Sequence, residues 1–231
     1  MEQYLEKQLG CLCKSVRPAD AHAVEAAKHH WNEIAKPLYG LGKFEELLVK
    51  IAGVQKTEDI CLNKKAVVVF CADNGVVAEG VTQTDSSVTA VVTENFARGI
   101  ASVNRMASVA GADVIPVDIG VLGEIKEPGV RNCRIANGTK NMRKEPAMSH
   151  EQVLEAIHTG ITLASELKDA GYDLLAVGEM GIGNTTTSSA VASVLLQAPV
   201  ELVTGRGAGL SNTGLEKKIE VIKEAIALHQ P

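Results

Sequence analysis

This sequence of 231 residues has few aromatic side chains, no long apolar run and no excess of basic charge. The longest apolar run covers residues 66–72, far short of the roughly 20 residues that a membrane-spanning helix needs. Acidic residues outnumber basic ones by 28 to 23 and aromatics make up only 3%, which argues against general binding to nucleic acid. Hydrophobic residues nevertheless reach 45%, so the composition excludes disorder and predicts a globular chain.

Cysteine is also sparse, and the five that occur are widely spaced (Cys11, Cys13, Cys61, Cys71 and Cys133). An odd number of separated cysteines indicates reduced thiols, and the N-terminus shows no secretory signal, so we expect a cytoplasmic protein. Cys11 and Cys13 are close enough in sequence to suggest a metal site, but no second Cys or His pair with ligand spacing accompanies them. We therefore expect neither a metal ion nor another cofactor.

Strand patterns alternate with helix patterns along most of the chain. Residues 65–72, 113–118, 174–177 and 200–203 read as strands, although Pro116 weakens the second. Helical faces fall at residues 88–103, in a helix opened by the Ser149–Gln152 capping box, and at residues 215–226. This alternation predicts an α/β fold, an open parallel sheet flanked by helices in a Rossmann-like arrangement. We divide the chain into an N-terminal helical segment (1–40), part of a small domain, and an α/β domain (41–231) that binds nucleotide and base.

A loop rich in glycine and hydroxyl groups follows the third predicted strand, at residues 178–189. Ligands of open α/β sheets bind beyond the carboxyl ends of the strands. Glycine lets the backbone approach a ligand closely, and the free amides at a helix start can hold an anion. The loop lacks the lysine of a Walker A motif and the third glycine of a dinucleotide fingerprint. It predicts a phosphate site, with an ordinary capped turn as the alternative.

A second glycine loop, residues 204–211, follows the fourth predicted strand and contains Arg206, with Lys217 and Lys218 shortly after it. The two loops together could enclose one phosphorylated ligand, or they could be two flexible surface turns. Within the first loop, Glu179 would act as a general base if it lay in a partly dry pocket, and would otherwise be an ordinary solvated carboxylate. Asp73 fits either a ribose contact or a turn.

Several separate motifs together resemble one known family. They are residues 72–81 (Ala-Asp-Asn-Gly-Val-Val-Ala-Glu-Gly-Val), 117–121 (Val-Asp-Ile-Gly-Val), 134–141 (Arg-Ile-Ala-Asn-Gly-Thr-Lys-Asn), 146–148 (Pro-Ala-Met), 178–186 (Gly-Glu-Met-Gly-Ile-Gly-Asn-Thr-Thr) and 205–210 (Gly-Arg-Gly-Ala-Gly-Leu). In this order they resemble the nicotinate-nucleotide–dimethylbenzimidazole phosphoribosyltransferases. The resemblance implies transfer of phosphoribose from nicotinate mononucleotide to 5,6-dimethylbenzimidazole, with inversion at the ribosyl carbon and without a metal.

The resemblance also implies roles for individual residues. Glu179 matches a pocket glutamate of the family and is the candidate catalytic carboxylate. The matches to phosphate- or nucleotide-binding positions are Gly181, Ile182, Gly183, Asn184, Thr185, Thr186, Gly207, Gly209 and Lys218. Asp73, Val88 and Val91 match the base pocket, and many relatives have glutamine in place of Val91, so the accepted base is open.

One departure from the family concerns its C-terminal part. Full-length members continue for about a hundred residues and end in a Gly-Glu-Gly segment whose glutamate is the usual base. Three alternatives follow: the chain is a fragment, a partner supplies the rest, or Glu179 serves instead. Without that part we expect exposed apolar surface. The family implies a homodimer or association with a missing C-terminal part. A catalytically inactive nucleotide- or ribazole-phosphate-binding module, or half of a split enzyme, is the competing hypothesis.

Overall fold

The computed structural model describes residues 2–231. Its chain divides into two compact units, Glu6–Asn63 and a larger unit that contains Lys64–Pro231. The division reflects spatial proximity alone, so the functional partition into residues 1–40 and 41–231 stays a prediction.

The N-terminal region is helical, with α1 at Glu2–Ser15, α2 at Ala21–Glu33 and α3 at Lys43–Gln55. Asp20 caps α2 by accepting a hydrogen bond from the Ala23 amide at 2.9 Å. Helices α2 and α3 pack closely because the contacting residues are small: a Cβ on Gly53 would lie 2.6 Å from the Val24 side chain.

The larger unit is built on one sheet of four strands. These are β1 (Lys65–Ala72), β2 (Ala112–Gly120), β3 (Arg131–Asn132) and β4 (Leu174–Met180). Their order is β3-β2-β1-β4 and every pair is parallel. The predicted fold class and the first three predicted strands are therefore confirmed. Pro116 is tolerated in β2 because β3 pairs only with Val117 and Asp118, which leaves most of that side of β2 without a neighbouring strand.

The fourth predicted strand was wrong. Val200–Val203 forms the short helix α8, in which the Leu202 amide donates to the Pro199 carbonyl at 3.0 Å. Val200 packs with Ala190 and Ile222 of neighbouring helices, so its apolar side chain is buried without joining the sheet. The strand that the sequence did not predict is β3, which has only two residues. Two residues are too few to show the alternating pattern of a strand.

The remaining helices are α4 (Ser87–Ala97), α5 (Ser102–Ala110), α6 (His150–Asp169), α7 (Asn184–Leu196) and α9 (Asn212–His229), and a 3₁₀ helix covers Gly75–Glu79. The single helical face predicted over residues 88–103 is instead split between α4 and α5, because Gly99 adopts a positive φ of 74°. The Ser149–Gln152 capping box at the start of α6 is confirmed, and Gly171, with φ 83°, follows the end of this helix.

Helices pack on both faces of the sheet, and three further helices pack on one another. On one face Val68 and Val117 pack against Leu163 and Leu167 of α6. On the other, Val69 and Cys71 pack with Phe96 of α4 and with Val121. Helices α7, α8 and α9 instead form a cluster of their own around Ala190, Val200 and Ile222, in which no strand residue takes part. Across residues 2–231 no helix has the length and apolarity to cross a membrane.

Candidate functional site

The first glycine loop, residues 181–183, is pressed against the end of β1. A Cβ on Gly181 would lie only 1.8 Å from the Ala72 carbonyl oxygen, so only glycine fits this approach. Asn74 donates its side-chain amide to the Ile182 carbonyl at 3.2 Å, and the buried Thr89 hydroxyl accepts from the Ile182 amide at 3.1 Å. Strand β4 and helix α7 are thereby joined by a turn that the end of β1 and helix α4 hold in place.

The amides at the start of α7 are largely used within the loop. The Asn184 amide donates to the Gly181 carbonyl at 3.0 Å, and the Thr186 amide donates to the Gly183 carbonyl at 2.9 Å. The Thr185 amide donates to the side-chain oxygen of Asn184 at 2.7 Å. In this conformation the free amides that we expected to face an anion are internally bonded, so side chains have to supply the donors.

Lys218, on α9, is the cation that connects the two glycine loops. Its side chain is 1% exposed, and its Nζ donates to the Thr185 hydroxyl at 2.7 Å and to the Gly205 carbonyl at 3.1 Å. A lysine has three donor protons, so one remains for a ligand. Burial disfavours the charged form and lowers the pKa of Lys218 from its usual value.

A small cavity, about 60 Å³, lies where the two loops and Lys218 come together. It is about twice the ~30 Å³ share of one liquid water, so a phosphate-sized group fits better than a whole nucleotide. Gly207, with φ 57°, approaches closely enough that a Cβ there would lie 2.8 Å from the Thr185 hydroxyl. The predicted convergence of the loops is therefore seen, although the second loop follows helix α8 and not a strand.

A third segment, which we did not predict, forms part of the same cavity wall. It comprises Val81, Thr82, Gln83 and Thr84, after the turn at Gly80. The Gln83 side chain donates to the Gly209 carbonyl at 2.5 Å and so holds the second loop. The local sequence does not predict this contact, because its two partners are 126 residues apart along the chain.

Glu179 lies at the carboxyl end of β4, in register with Phe70 of β1. Its side chain is exposed and accepts a hydrogen bond from the Asn184 side-chain amide at 2.8 Å. The exposed position agrees with the alternative of a solvated carboxylate, and the partly dry pocket that a general base would need is not formed by residues 2–231. Asn184, the first residue of α7, holds the carboxylate and so places Glu179 beside the first glycine loop.

The three predicted base-pocket residues have different surroundings and do not line this cavity. Asp73 is fully buried, and its carboxylate accepts from the Leu122 amide at 2.8 Å, so in this conformation it holds the loop after β2 and is closed to a ribose. Val88 is half-buried, whereas Val91 is 56% exposed on α4.

A larger cavity of about 720 Å³ lies beyond the ends of β2 and β3. Asp118 and Arg134 form part of its wall and are paired, with Arg134 Nη2 2.8 Å and Nε 3.0 Å from the same carboxylate oxygen. The other oxygen of Asp118 accepts from the Gly120 and Val121 amides, so the pair fixes the loop after β2. Among residues 2–231, no three His, Cys, Asp or Glu side chains cluster as a metal site would require.

The fold agrees with the comparisons with known proteins. A sequence model for a family described as Phosphoribosyltransferase matches residues 16–231. The chain therefore belongs to this phosphoribosyltransferase family.

Its individual relatives carry a more specific name, nicotinate-nucleotide–dimethylbenzimidazole phosphoribosyltransferase. The one from Ruminiclostridium cellulolyticum is 44% identical over 217 residues, which cover 94% of this chain and 62% of the relative. The one from Acetivibrio thermocellus is 42% identical over 218 residues, with the same coverage. The crystal structure of CobT from Thermus thermophilus superposes with a TM-score of 0.86 at 37% identity, over 91% of this chain and 63% of that chain. The resemblance found in the motifs is confirmed, and the chain spans less than two thirds of these relatives.

Proposed function

We propose that the protein takes part in transferring the phosphoribosyl group of nicotinate mononucleotide to 5,6-dimethylbenzimidazole or a related base. The products are nicotinate and α-ribazole 5′-phosphate, a step of cobalamin biosynthesis. The observation that carries this proposal is the meeting of both glycine loops and Lys218 at one cavity, in a chain whose relatives are named for this reaction.

We place the phosphate of the substrate in this small cavity. Lys218 keeps a donor proton free, and the Thr185 hydroxyl is beside it. A charged donor to a phosphate gives a shorter and stronger hydrogen bond than a neutral one. The glycines of both loops leave room for the anion to approach, and the ribose would extend out of the small cavity towards Glu179.

The chemical step breaks the bond between the ribosyl C1′ and the nicotinate nitrogen, whose electron pair leaves with nicotinate. One benzimidazole nitrogen attacks C1′ from the opposite face, and the proton on the other nitrogen must then be removed. A positioned carboxylate removes such a proton. We propose Glu179 as that carboxylate within this chain, because Asn184 holds it next to the phosphate loop.

The inactive binding module remains the competing hypothesis, but the relatives' names, which are those of transferases, do not favour it. We further propose that the protein is cytoplasmic, which its free cysteines support, and that it works as a homodimer or with a C-terminal part. Val91, exposed on α4, would contribute to the choice of base.

Nicotinate release tests the proposal directly. The chain would be given nicotinate mononucleotide with and without dimethylbenzimidazole, alone and together with the part of the Ruminiclostridium relative that it does not cover. We expect base-dependent release, and in the chain alone Glu179→Gln should reduce it by about 100-fold or more, as for loss of a general base. Glu151→Gln, at an exposed glutamate on α6, is the control and should change nothing. Full activity of Glu179→Gln would exclude Glu179 as the base, and no release in any mixture would contradict the reaction.

A further inference from the structure

Arg143 joins two carboxylates that belong to distant parts of the chain. Its Nη1 donates to Glu79 at 2.5 Å, and its Nε donates to Glu224. The first partner is 64 residues away along the chain and the second is 81 residues away. Because the guanidinium group is planar and rigid, one arginine that binds two carboxylates fixes their relative position.

Glu79 is the more buried of the two partners, with 9% of its side chain exposed. Its other oxygen accepts from the Asn141 side-chain amide at 2.5 Å, and the side-chain oxygen of Asn141 accepts from the Arg143 amide at 3.0 Å. Hydrogen bonds from Arg143 and Asn141 lower the pKa of Glu79. The contact is therefore a charged network built on a largely buried carboxylate, whereas isolated surface ion pairs contribute little.

Glu79 is attached to one wall of the small cavity at the glycine loops. It is the last residue of the 3₁₀ helix, and after Gly80 the chain continues directly into Val81–Thr84, which line that cavity. A Cβ on Gly80 would lie 3.1 Å from the Lys217 Nζ, so this turn lies close against α9. Because only Gly80 separates them, a displacement of Glu79 displaces the wall at Val81–Thr84.

Glu224 is attached to the element that carries the buried lysine of the cavity. It lies on α9, six residues after Lys218, which corresponds to about 9 Å along the helix axis. Neither Glu224 nor Arg143 lines the cavity. Arg143 can therefore influence a bound phosphate only through the positions of α9 and of the wall at Val81–Thr84.

Apolar contacts also hold α9 against the 3₁₀ helix, but they do not fix its position along its own axis. Val221 of α9 is buried with Val76 and Val81, and Met142 packs against this cluster. The hydrophobic effect is non-directional, so three valines alone tolerate a small shift of the helix. The charged hydrogen bonds of Arg143 are directional and oppose such a shift.

Lys218 needs an accurate position because two of its three donor protons are already used. Its Nζ donates to the Thr185 hydroxyl and to the Gly205 carbonyl, so the third proton has a fixed direction. A misplacement of about 1 Å in a positioned group can reduce an enzymatic rate by about 100-fold.

We propose that Arg143 is a positioning residue of the phosphate site. Through Glu79 and Glu224 it fixes α9 relative to the wall at Val81–Thr84, so that the third donor proton of Lys218 points at the phosphate. This inference rests on the proposed function, since it takes the phosphate of nicotinate mononucleotide to lie in that cavity.

Calorimetric titration with nicotinate mononucleotide tests whether Arg143 acts through Lys218. The variants are Arg143→Met, Lys218→Met and the two together. We expect Arg143→Met to weaken binding by about tenfold in the unsubstituted chain, and by less than about twofold once Lys218 is replaced, because coupled residues are non-additive. A residue that merely stabilises the fold would weaken binding by the same factor in both backgrounds.

Lys223→Met is the matched control, because Lys223 also lies on α9 and pairs with a carboxylate of another helix, Glu201 of α8. Both partners of this pair are about half exposed, and neither lines the cavity. We expect Lys223→Met to keep the affinity within about twofold, and Glu224→Gln, a milder change to the network of Arg143, to weaken binding by about threefold.

Urea titration identifies the folded variants, and if Arg143→Met does not fold, Glu224→Gln in the two Lys218 backgrounds provides the same comparison. Unchanged affinity of Arg143→Met, equal weakening in both backgrounds, or an equal effect of Lys223→Met would overturn the inference and leave the proposed function intact. An unsubstituted chain that does not bind nicotinate mononucleotide would contradict the proposed function, and the inference with it.

Discussion

The two glycine loops at the candidate site have similar sequences but different surroundings. The first, residues 181–183, is packed so closely on β1 that Gly181 and Gly183 are buried. The second, residues 205–209, is exposed throughout, and a Cβ on Gly205 would touch nothing within 4 Å. Asn74, just after β1, and Thr89 of α4 hold the first loop through their side chains, whereas Lys218 and Gln83 hold the second. A glycine-rich motif therefore marks either a close backbone approach or an exposed surface loop.

The largest expected difference between the loops is in how much a glycine-to-alanine substitution destabilises the fold. Gly181→Ala places a methyl group on the Ala72 carbonyl, which cannot move without disturbing β1, and should destabilise the fold by more than about 3 kcal/mol. Gly205→Ala should change the free energy of unfolding by less than about 0.5 kcal/mol. Urea titration of both variants measures this. Equal effects would show that the first loop is not packed as described.

A smaller loss of stability should follow from removing one support of the first loop. Thr89→Val keeps the shape of the side chain but leaves the half-buried Ile182 amide without its acceptor, at a cost of about 1–3 kcal/mol. Thr89→Ser retains the hydroxyl and is the matched control. A Thr89→Val protein as stable as the Thr89→Ser protein would mean that the Ile182 amide finds another acceptor.

Removing the lysine that holds the second loop should affect the binding of nicotinate mononucleotide more than the stability of the fold. Lys218→Met removes a charged donor to the phosphate, which is worth about 1.5–3 kcal/mol, so affinity for nicotinate mononucleotide should fall by about tenfold or more. Burial lowers the pKa of Lys218, so the charged form is lost, and binding weakens, at a lower pH than for an ordinary lysine. Calorimetric titration across alkaline pH measures both effects.

Lys217→Met, at the exposed neighbouring lysine, provides the comparison for Lys218→Met and should keep the affinity and its pH dependence. If Lys218→Met bound as tightly as the unsubstituted chain, the phosphate would lie elsewhere.

The sequence predicted the elements that have a regular pattern and missed those defined by distant neighbours. Strand β1 and the cap of α6 were visible because buried runs and capping residues are local signals. The prediction at Val200–Val203 failed because a short apolar run fits a strand and a buried helical turn equally well.

At the site, the glycines predicted the convergence of the loops, but their supports were hidden. Thr89 meets Ile182 across 93 residues, and Gln83 meets Gly209 across 126. The exposure of Glu179 was equally hidden, because it depends on what lies beside β4 and not on the loop that contains it.

The position of β1 in the sheet has a consequence for the synthesis of the chain. This central strand pairs with β4, and Lys64 meets Asp173 across 109 residues of intervening sequence. At about 5–20 residues per second, a ribosome needs on the order of 5–20 seconds to make that stretch. During this time the most apolar segment of the protein has only β2 to pair with, so the nascent chain is prone to aggregate until β4 has been made.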